Sequence, residues 1–138
     1  MNRETPECVI IGLGGMPEGT TSHSLDAWMQ ALGWEFKAAT QGVYTYRNGD
    51  VACEKGRLYT PHASLETLHP DLLADVAHIT LNQESILHRD SNGNVDLCYG
   101  GEPTRLGLGK WSEVSAARAA TLDAYTMHNG RYYAAVAA

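Results

Sequence analysis

The chain has 138 residues and a mass of 15.0 kDa, which suits a single domain over residues 1–138 with one hydrophobic core and leaves no room for a separate cofactor domain. Apolar residues make up 43% and charged residues 19% of the chain, a composition typical of folded proteins and not of disordered ones. The formal net charge is −6, so the overall field repels phosphate and argues against nucleic acid as a partner.

Two further features bear on the cellular compartment. No apolar run approaches the roughly 20 residues of a membrane span, and the first residues lack the basic region and apolar core of a signal peptide. The three cysteines, Cys8, Cys53 and Cys98, form no CxxC pair, which favours free thiols over a disulfide framework or a thiolate zinc site. We therefore expect a cytoplasmic protein without membrane contact, and the oligomeric state stays open.

The first half of the chain predicts a strand, a helix and a hairpin. A β-branched run over residues 8–13 ends in glycines, which predicts a buried strand followed by a turn. N-cap candidates at residues 20–22, apolar residues at helical spacing and a stop at Gly33 predict a helix. Asn48-Gly49 lies between two strand-like runs and is a strong hairpin signal. Residues 55–62 are expected to form an exposed loop or an edge strand.

The second half predicts alternating short elements. A helix over residues 70–77 begins at Pro70, because proline is tolerated in a first helical turn and not in mid-helix. Turn residues over 91–94 separate two strands. The other predicted elements are strands over 78–82, 85–89, 95–99 and 131–137, a loop over 100–109 and an alanine-rich helix over 112–125. Together these predict an α+β fold: one domain with a mostly antiparallel sheet and two to three helices.

The glycine segment GLGGMPEG between the first strand and the first helix could present backbone N–H groups to a phosphate. Pro17 stands where a dinucleotide fingerprint has its third glycine, and the loop contains no lysine. A plain turn is therefore the favoured interpretation of this segment.

Aromatic side chains carry two further expectations. Trp28, Trp34 and Trp111 are predicted to anchor the core or an interface, since tryptophan buries a large area and needs one partner for its N–H. Tyr44, Tyr46 and Tyr59 could form a base-stacking platform, but alternating tyrosines are common on half-buried strands and few basic residues are interleaved, so a half-buried strand is favoured.

His88 and Asp90 are two positions apart on or next to a predicted strand, where residues i and i+2 point to the same face. An imidazole and a carboxylate so placed can bind one cation. A third ligand from a distant strand would complete the two-histidine, one-carboxylate triad of non-haem Fe(II) oxygenases. The same residues also fit an ordinary hairpin, with His88 in the strand, Asp90 as a surface charge and Asn92 in the turn.

Several short motifs follow one another from residue 55 onward. They are Gly56-Arg57, a helix start at Pro70, Leu81-Asn82, His88-x-Asp90-x-Asn92 and Gly130-Arg131-Tyr132. In this order they resemble the small phage-type and alkylation-repair-like Fe(II)/2-oxoglutarate-dependent oxygenases. The resemblance covers residues 55–100 and 128–137.

The resemblance implies roles for five residues. His88 and Asp90 would hold Fe(II), with His128, the only histidine after Asp90, as the remaining ligand. Asn82 would hydrogen-bond 2-oxoglutarate, and Arg131 would clamp its distal carboxylate, a role that suits the bidentate geometry of arginine. The protein would then be a minimal Fe(II)/2-oxoglutarate oxygenase of unknown substrate, or a degenerate relative, on a minimal or degenerate double-stranded β-helix.

A second hypothesis is a non-enzymatic acidic binding protein, such as a phage-like inhibitor or adaptor that acts on a host protein or a small ligand. The net charge of −6 in a short chain and the incomplete catalytic pattern favour it. The position of His128 separates the two hypotheses, because a shared metal would lie about 2.0–2.2 Å from its ring nitrogen.

Overall fold

A computed structural model describes residues 7–46, 48–101 and 104–136. Within these ranges the chain forms eight strands and three helices. In chain order they are β1 (Cys8–Gly12), α1 (Ser22–Ala31), β2 (Trp34–Thr45), β3 (Val51–Pro61), α2 (Pro70–Leu81), β4 (Ser85–Arg89), β5 (Asn94–Tyr99), β6 (Thr104–Val114), α3 (Ala116–Ala119), β7 (Ala124–His128) and β8 (Arg131–Val136).

The eight strands close into one barrel in the order β1-β3-β2-β7-β8-β6-β5-β4. Every neighbouring pair is antiparallel, including the pair of β1 and β4 that joins Val9 to His88. The expected α+β fold with a minimal double-stranded β-helix is therefore wrong. Because β1 pairs with both β3 and β4, the two parts of the chain merge into a single closed sheet instead of two facing sheets.

The main hydrophobic core lies outside the barrel, between its wall and helices α1 and α2. Side chains alternate between the two faces of each strand, so Val9 and Ile11 pack under the helices while Ile10 and Gly12 line the interior. The buried residues of this core are Val9, Ile11, Leu25, Met29, Trp34, Tyr59, Leu73, Ala74, Ala77, Leu81, Ile86 and Cys98. The helices therefore brace one side of the barrel without filling it.

Helix α1 begins and ends where the sequence predicts. The Thr21 hydroxyl accepts a hydrogen bond from the Ser24 amide at 3.0 Å, and the Ser24 hydroxyl accepts one from the Thr21 amide at 2.9 Å; this reciprocal capping fixes the first turn. Gly33 follows the helix with φ +86°, and a Cβ there would overlap the backbone of Glu66. The prediction of a glycine stop is confirmed, as is the hairpin at Asn48-Gly49 between β2 and β3.

Helix α2 begins at Pro70 as predicted but runs on to Leu81. The strand predicted over residues 78–82 is wrong. The β-branched pair Ile79 and Thr80 favours a strand locally, but Ala77 and Leu81 are four residues apart and continue the buried stripe of the helix. Burial of that stripe against the barrel outweighs local strand propensity.

The segment from residue 100 to residue 125 also differs from the prediction. Strand β6 occupies much of the expected loop, and only the four residues of α3 remain of the expected helix over 112–125. Strand β6 pairs with β5 on one side and with β8 on the other, so its backbone hydrogen bonds are made in the sheet. Strand pairing in the closed barrel therefore outweighs the helical propensity of this segment.

Candidate functional site

The interior of the barrel contains a cavity of about 340 Å³. Side chains from opposite walls meet there, and most of the lining is apolar or aromatic. The residues that shape it are Leu87, Leu97, Leu108, Trp111, Tyr133 and Ala135. Eight-stranded barrels are either filled by their own side chains or hold one small ligand, and a cavity of this size lies within the range of small-molecule sites. We call this space the apolar chamber.

A second cavity of about 100 Å³ adjoins the apolar chamber and is more polar. The two share Tyr44, Leu87, Leu97 and Thr126 as lining residues, so they form two parts of one interior. The side chains and backbone that distinguish the second part belong to Gly12, Thr40, Glu54, Gly56, Gln83 and Ser85. We call this part the polar chamber. The interior is therefore amphipathic along its length.

Glycines are the reason that the polar chamber exists. Gly12, Gly42 and Gly56 sit on adjacent strands at positions that face the interior, where larger side chains would fill the space. The sequence marks them only as scattered strand glycines, which commonly indicate a bulge or a close approach. Their shared location depends on the pairing of β1, β3 and β2, which sequence reasoning did not predict.

A column of stacked rings bounds the apolar chamber. The rings of Trp111 and Tyr133 are 5.8 Å apart and nearly parallel at 7°, and those of Tyr133 and His128 are 4.7 Å apart at 15°. The Arg89 guanidinium lies 5.8 Å from the centre of the Trp111 ring. The column links β4, β6, β7 and β8 across the barrel and holds the Trp111 indole in a fixed orientation.

Two polar atoms of this column are buried without a hydrogen-bond partner among the described residues: Nε1 of Trp111 and Nδ1 of His128. Burial lowers the pKa of His128, and the nearby charges of Arg89 and Arg131 lower it further, so the imidazole is neutral at neutral pH. Buried polar groups are almost always satisfied. The indole N–H of Trp111 is thus a buried donor that none of the described residues satisfies.

His88, a candidate iron ligand, lies on the outer face of β4 and is only 6% exposed. Its Nε2 is 2.8 Å from the Glu7 carboxylate, and its Nδ1 is 3.4 Å from the Arg105 guanidinium. Arg105 also pairs with Asp71 and Asp96. Both ring nitrogens therefore already face charged partners, and the arginine opposes a cation at this position.

Asp90 shapes a turn in the structure. One of its carboxylate oxygens accepts hydrogen bonds from the amides of Asn92 and Asn94, each at 2.9 Å. Burial acts to raise the pKa of Asp90, but these hydrogen bonds outweigh it and hold the pKa below the usual value. This arrangement agrees with the alternative interpretation of the His88-x-Asp90-x-Asn92 motif as an ordinary hairpin.

The three candidate metal ligands are not brought together. His128 belongs to the ring column on β7, and β7 is not a neighbour of β4, which carries His88. Over residues 7–46, 48–101 and 104–136, no group of three or more His, Cys, Asp or Glu side chains is placed to hold a metal ion.

The two candidate 2-oxoglutarate residues also lie on separate elements. Asn82 ends α2 in a left-handed conformation with φ +58°, and Arg131 begins β8, where it is 3.4 Å from the Glu113 carboxylate and largely exposed. As arranged, these side chains do not fit Fe(II) and 2-oxoglutarate. The iron, the cosubstrate and the oxygenase activity stay predictions from the resemblance.

An anaerobic titration tests that resemblance directly. Because His88 is held between Glu7 and Arg105, we expect the protein to show no Fe(II) binding that depends on this residue. Calorimetry with Fe(II) and 2-oxoglutarate should give the same trace for the unmodified chain and for His88→Ala. A binding signal that His88→Ala abolishes would instead support the oxygenase hypothesis.

No protein-family model, curated protein or solved structure matches the chain. None of the helices within the described ranges is long and apolar enough to cross a membrane. The geometry of the barrel interior is therefore the main support for a functional assignment.

Proposed function

We propose that the protein binds a small, mostly apolar molecule inside its barrel. The observation that carries this proposal is the apolar chamber, a space of about 340 Å³ bounded by strands of the barrel and lined mainly by leucines and aromatic rings. This proposal is a specific form of the second hypothesis from the sequence, a non-enzymatic binding protein, with a small ligand as its partner.

The energetics favour an apolar occupant. Removing apolar surface from water contributes about 25 cal/mol per Å², and the leucine side chains of β4, β5 and β6 offer such surface on several sides. At about 0.3 kcal/mol per non-hydrogen atom, a ligand of roughly 20 atoms would bind with a Kd of tens of micromolar. The preformed walls reduce the ordering cost of binding.

Exposed apolar side chains lie beside the apolar chamber. Leu106 of β6, two residues before the lining residue Leu108, is 50% exposed, and Tyr44, which lines the chamber, is 44% exposed. Exposed apolar side chains next to the chamber suit the entry of an apolar ligand.

Filling the chamber tests the proposal. Ala135→Phe places a ring in the apolar chamber and should weaken the binding of prodan, an uncharged dye whose emission shifts to the blue in apolar surroundings, by about tenfold or more. A fluorescence titration measures this affinity, and circular dichroism confirms that the variant folds.

Ala39→Phe is the matched control, because Ala39 is exposed on the outer face of β2. It makes the same change outside the chamber and should leave dye binding unaltered. Equal loss in both variants, or no dye binding to the unmodified protein, would overturn the proposal.

A further inference from the structure

Glu54 places a carboxylate in the polar chamber. It lies on β3 opposite Gly42 of β2, and a Cβ added at Gly12 or Gly14 would overlap its carboxylate group. The glycine segment that follows β1 therefore makes room for an acidic side chain. A carboxylate in this position repels phosphate, which agrees with the interpretation of the segment as a plain turn.

The Glu54 carboxylate has no hydrogen-bond or ion-pair partner among the described residues. Its neighbour Lys55 projects from the opposite face of the strand. Gln83 also lines the polar chamber, but its side-chain N–H groups donate to the backbone carbonyls of Gly14 and Leu81, each at 3.1 Å. A half-buried carboxylate without a partner is costly, and a cationic group on a ligand would offset that cost.

Tyr44 adds a second feature for a cation. Its ring lines both chambers, so it lies where the apolar and polar parts of a ligand would meet. Burial raises the pKa of Tyr44, and the nearby charge of Glu54 raises it further, so the hydroxyl stays protonated at neutral pH. An aromatic face beside a carboxylate is a favourable setting for an ammonium group.

We propose that the barrel selects amphipathic amines, with the apolar body of the ligand in the apolar chamber and its protonated amino group against Glu54. This inference rests on the proposed function, since it requires that the interior binds a small molecule. It also specifies what is rejected: a carboxylate of the same chain length would meet Glu54 with like charge.

Displacement of prodan by octylamine, octanol and octanoate tests the inference, since the three share one apolar body. In the unmodified protein, octylamine should bind about tenfold more tightly than octanol, and octanoate should bind most weakly. In Glu54→Gln, octylamine and octanol should become equal, because the charge is lost while the shape is kept. Octanol affinity itself should not change.

Two further variants separate local charge from net charge and from misfolding. Gly12→Ala keeps Glu54 but displaces its carboxylate, and it should reduce the preference for octylamine. Glu35→Gln removes the same charge from an exposed position near the start of β2 and should keep the preference intact.

The outcomes distinguish this inference from the proposed function. Equal binding of octylamine and octanol by the unmodified protein would overturn the inference and leave apolar binding standing. Retention of the preference in Glu54→Gln would overturn it as well. Failure of the dye and all three octyl compounds to bind would overturn both.

Discussion

Replacing Trp34 by alanine is expected to lower the free energy of unfolding by about 3–5 kcal/mol, the usual range for deleting a fully buried large side chain. Trp34 is completely buried at the start of β2, and its indole N–H donates to the carbonyl of Leu68 at 3.0 Å. The substitution removes a large apolar contact from the core under α1 and α2 and leaves that carbonyl without this donor. No other single change discussed for this chain should have a greater effect.

Trp34 also holds a connection in place. The segment between β3 and α2 is tied to the end of α1, because the His62 amide donates to the Gly33 carbonyl and the Leu68 amide donates to the Leu32 carbonyl, each at 2.8 Å. Loss of the Trp34 hydrogen bond should loosen this segment and expose its backbone to hydrogen exchange.

Urea unfolding followed by circular dichroism measures the effect. Trp34→Phe keeps most of the apolar area but loses the hydrogen bond, and a loss of about 1–2 kcal/mol is expected. Trp28→Ala is the control of equal chemistry, because Trp28 is only partly buried and should lose less stability. Equal losses of unfolding free energy in Trp28→Ala and Trp34→Ala would contradict the prediction. If Trp34→Ala does not fold, Trp34→Phe provides the test.

The second large effect is expected at Asp26, which links α1 to the barrel wall. Its two carboxylate oxygens accept hydrogen bonds from Nε and Nη2 of Arg57 at 2.9 and 2.7 Å, and the Tyr59 hydroxyl donates to the same carboxylate at 2.6 Å. The Arg57 guanidinium also stacks on Phe36, 3.7 Å from the ring centre. Asp26→Ala should lower the free energy of unfolding by about 2 kcal/mol, because the largely buried Arg57 loses its bidentate partner.

The Asp26 contribution should depend on pH. Burial acts to raise the pKa of the Asp26 carboxyl, but the hydrogen bonds from Arg57 and Tyr59 outweigh burial and hold the pKa below its usual value. A group whose pKa is lower in the folded state stabilises that state above the pKa of the unfolded chain, near 4. The stabilisation is therefore complete at neutral pH and is lost as the pH falls below about 4 through the folded-state pKa.

Unfolding measured between neutral and acidic pH checks both parts of this prediction. The difference in unfolding free energy between the unmodified protein and Asp26→Asn should narrow as Asp26 becomes protonated. Tyr59→Phe removes one donor and keeps the ion pair, so it should cost about 1 kcal/mol and preserve the pH dependence. A difference that is independent of pH would show that the carboxylate charge does not act in this way.

Short-range patterns in the sequence predicted several elements correctly. The strands over 8–13, 85–89 and 95–99 are confirmed to within one residue at each end as β1, β4 and β5. The strand over 131–137 is confirmed as β8 up to Val136, and residue 137 lies outside the described residues. Thr21 at the start of α1, Pro70 at the start of α2 and Gly49 in the hairpin also act as their residue types suggest. Each of these signals depends only on residues a few positions away, so it can be recognised without knowledge of the tertiary structure.

The candidate site was predicted less well. The H-x-D motif directed attention to His88 and Asp90, whose partners in the structure are Glu7, Arg105 and the turn amides. Glu54 carried no signal of its own, because an isolated glutamate in a strand is typical of a solvent-facing position. Because Glu54 lies between Cys53 and Lys55 in a strand, its side chain must point to the opposite face of the strand from theirs. The sequence does not indicate which of the two faces lines the barrel interior.

By itself the sequence determined the local elements with strong start and stop signals and the acidic net charge of the chain. Only the tertiary structure decided that residues 78–82 continue a helix, that β6 replaces a loop and a helix, and that the strands close around a cavity. The physical reason lies in long-range pairing: β1 joins β4 through Val9 and His88, residues far apart in the chain. Neither local propensity nor spacing contains the register of such a pair, and that register sets which side chains face the interior.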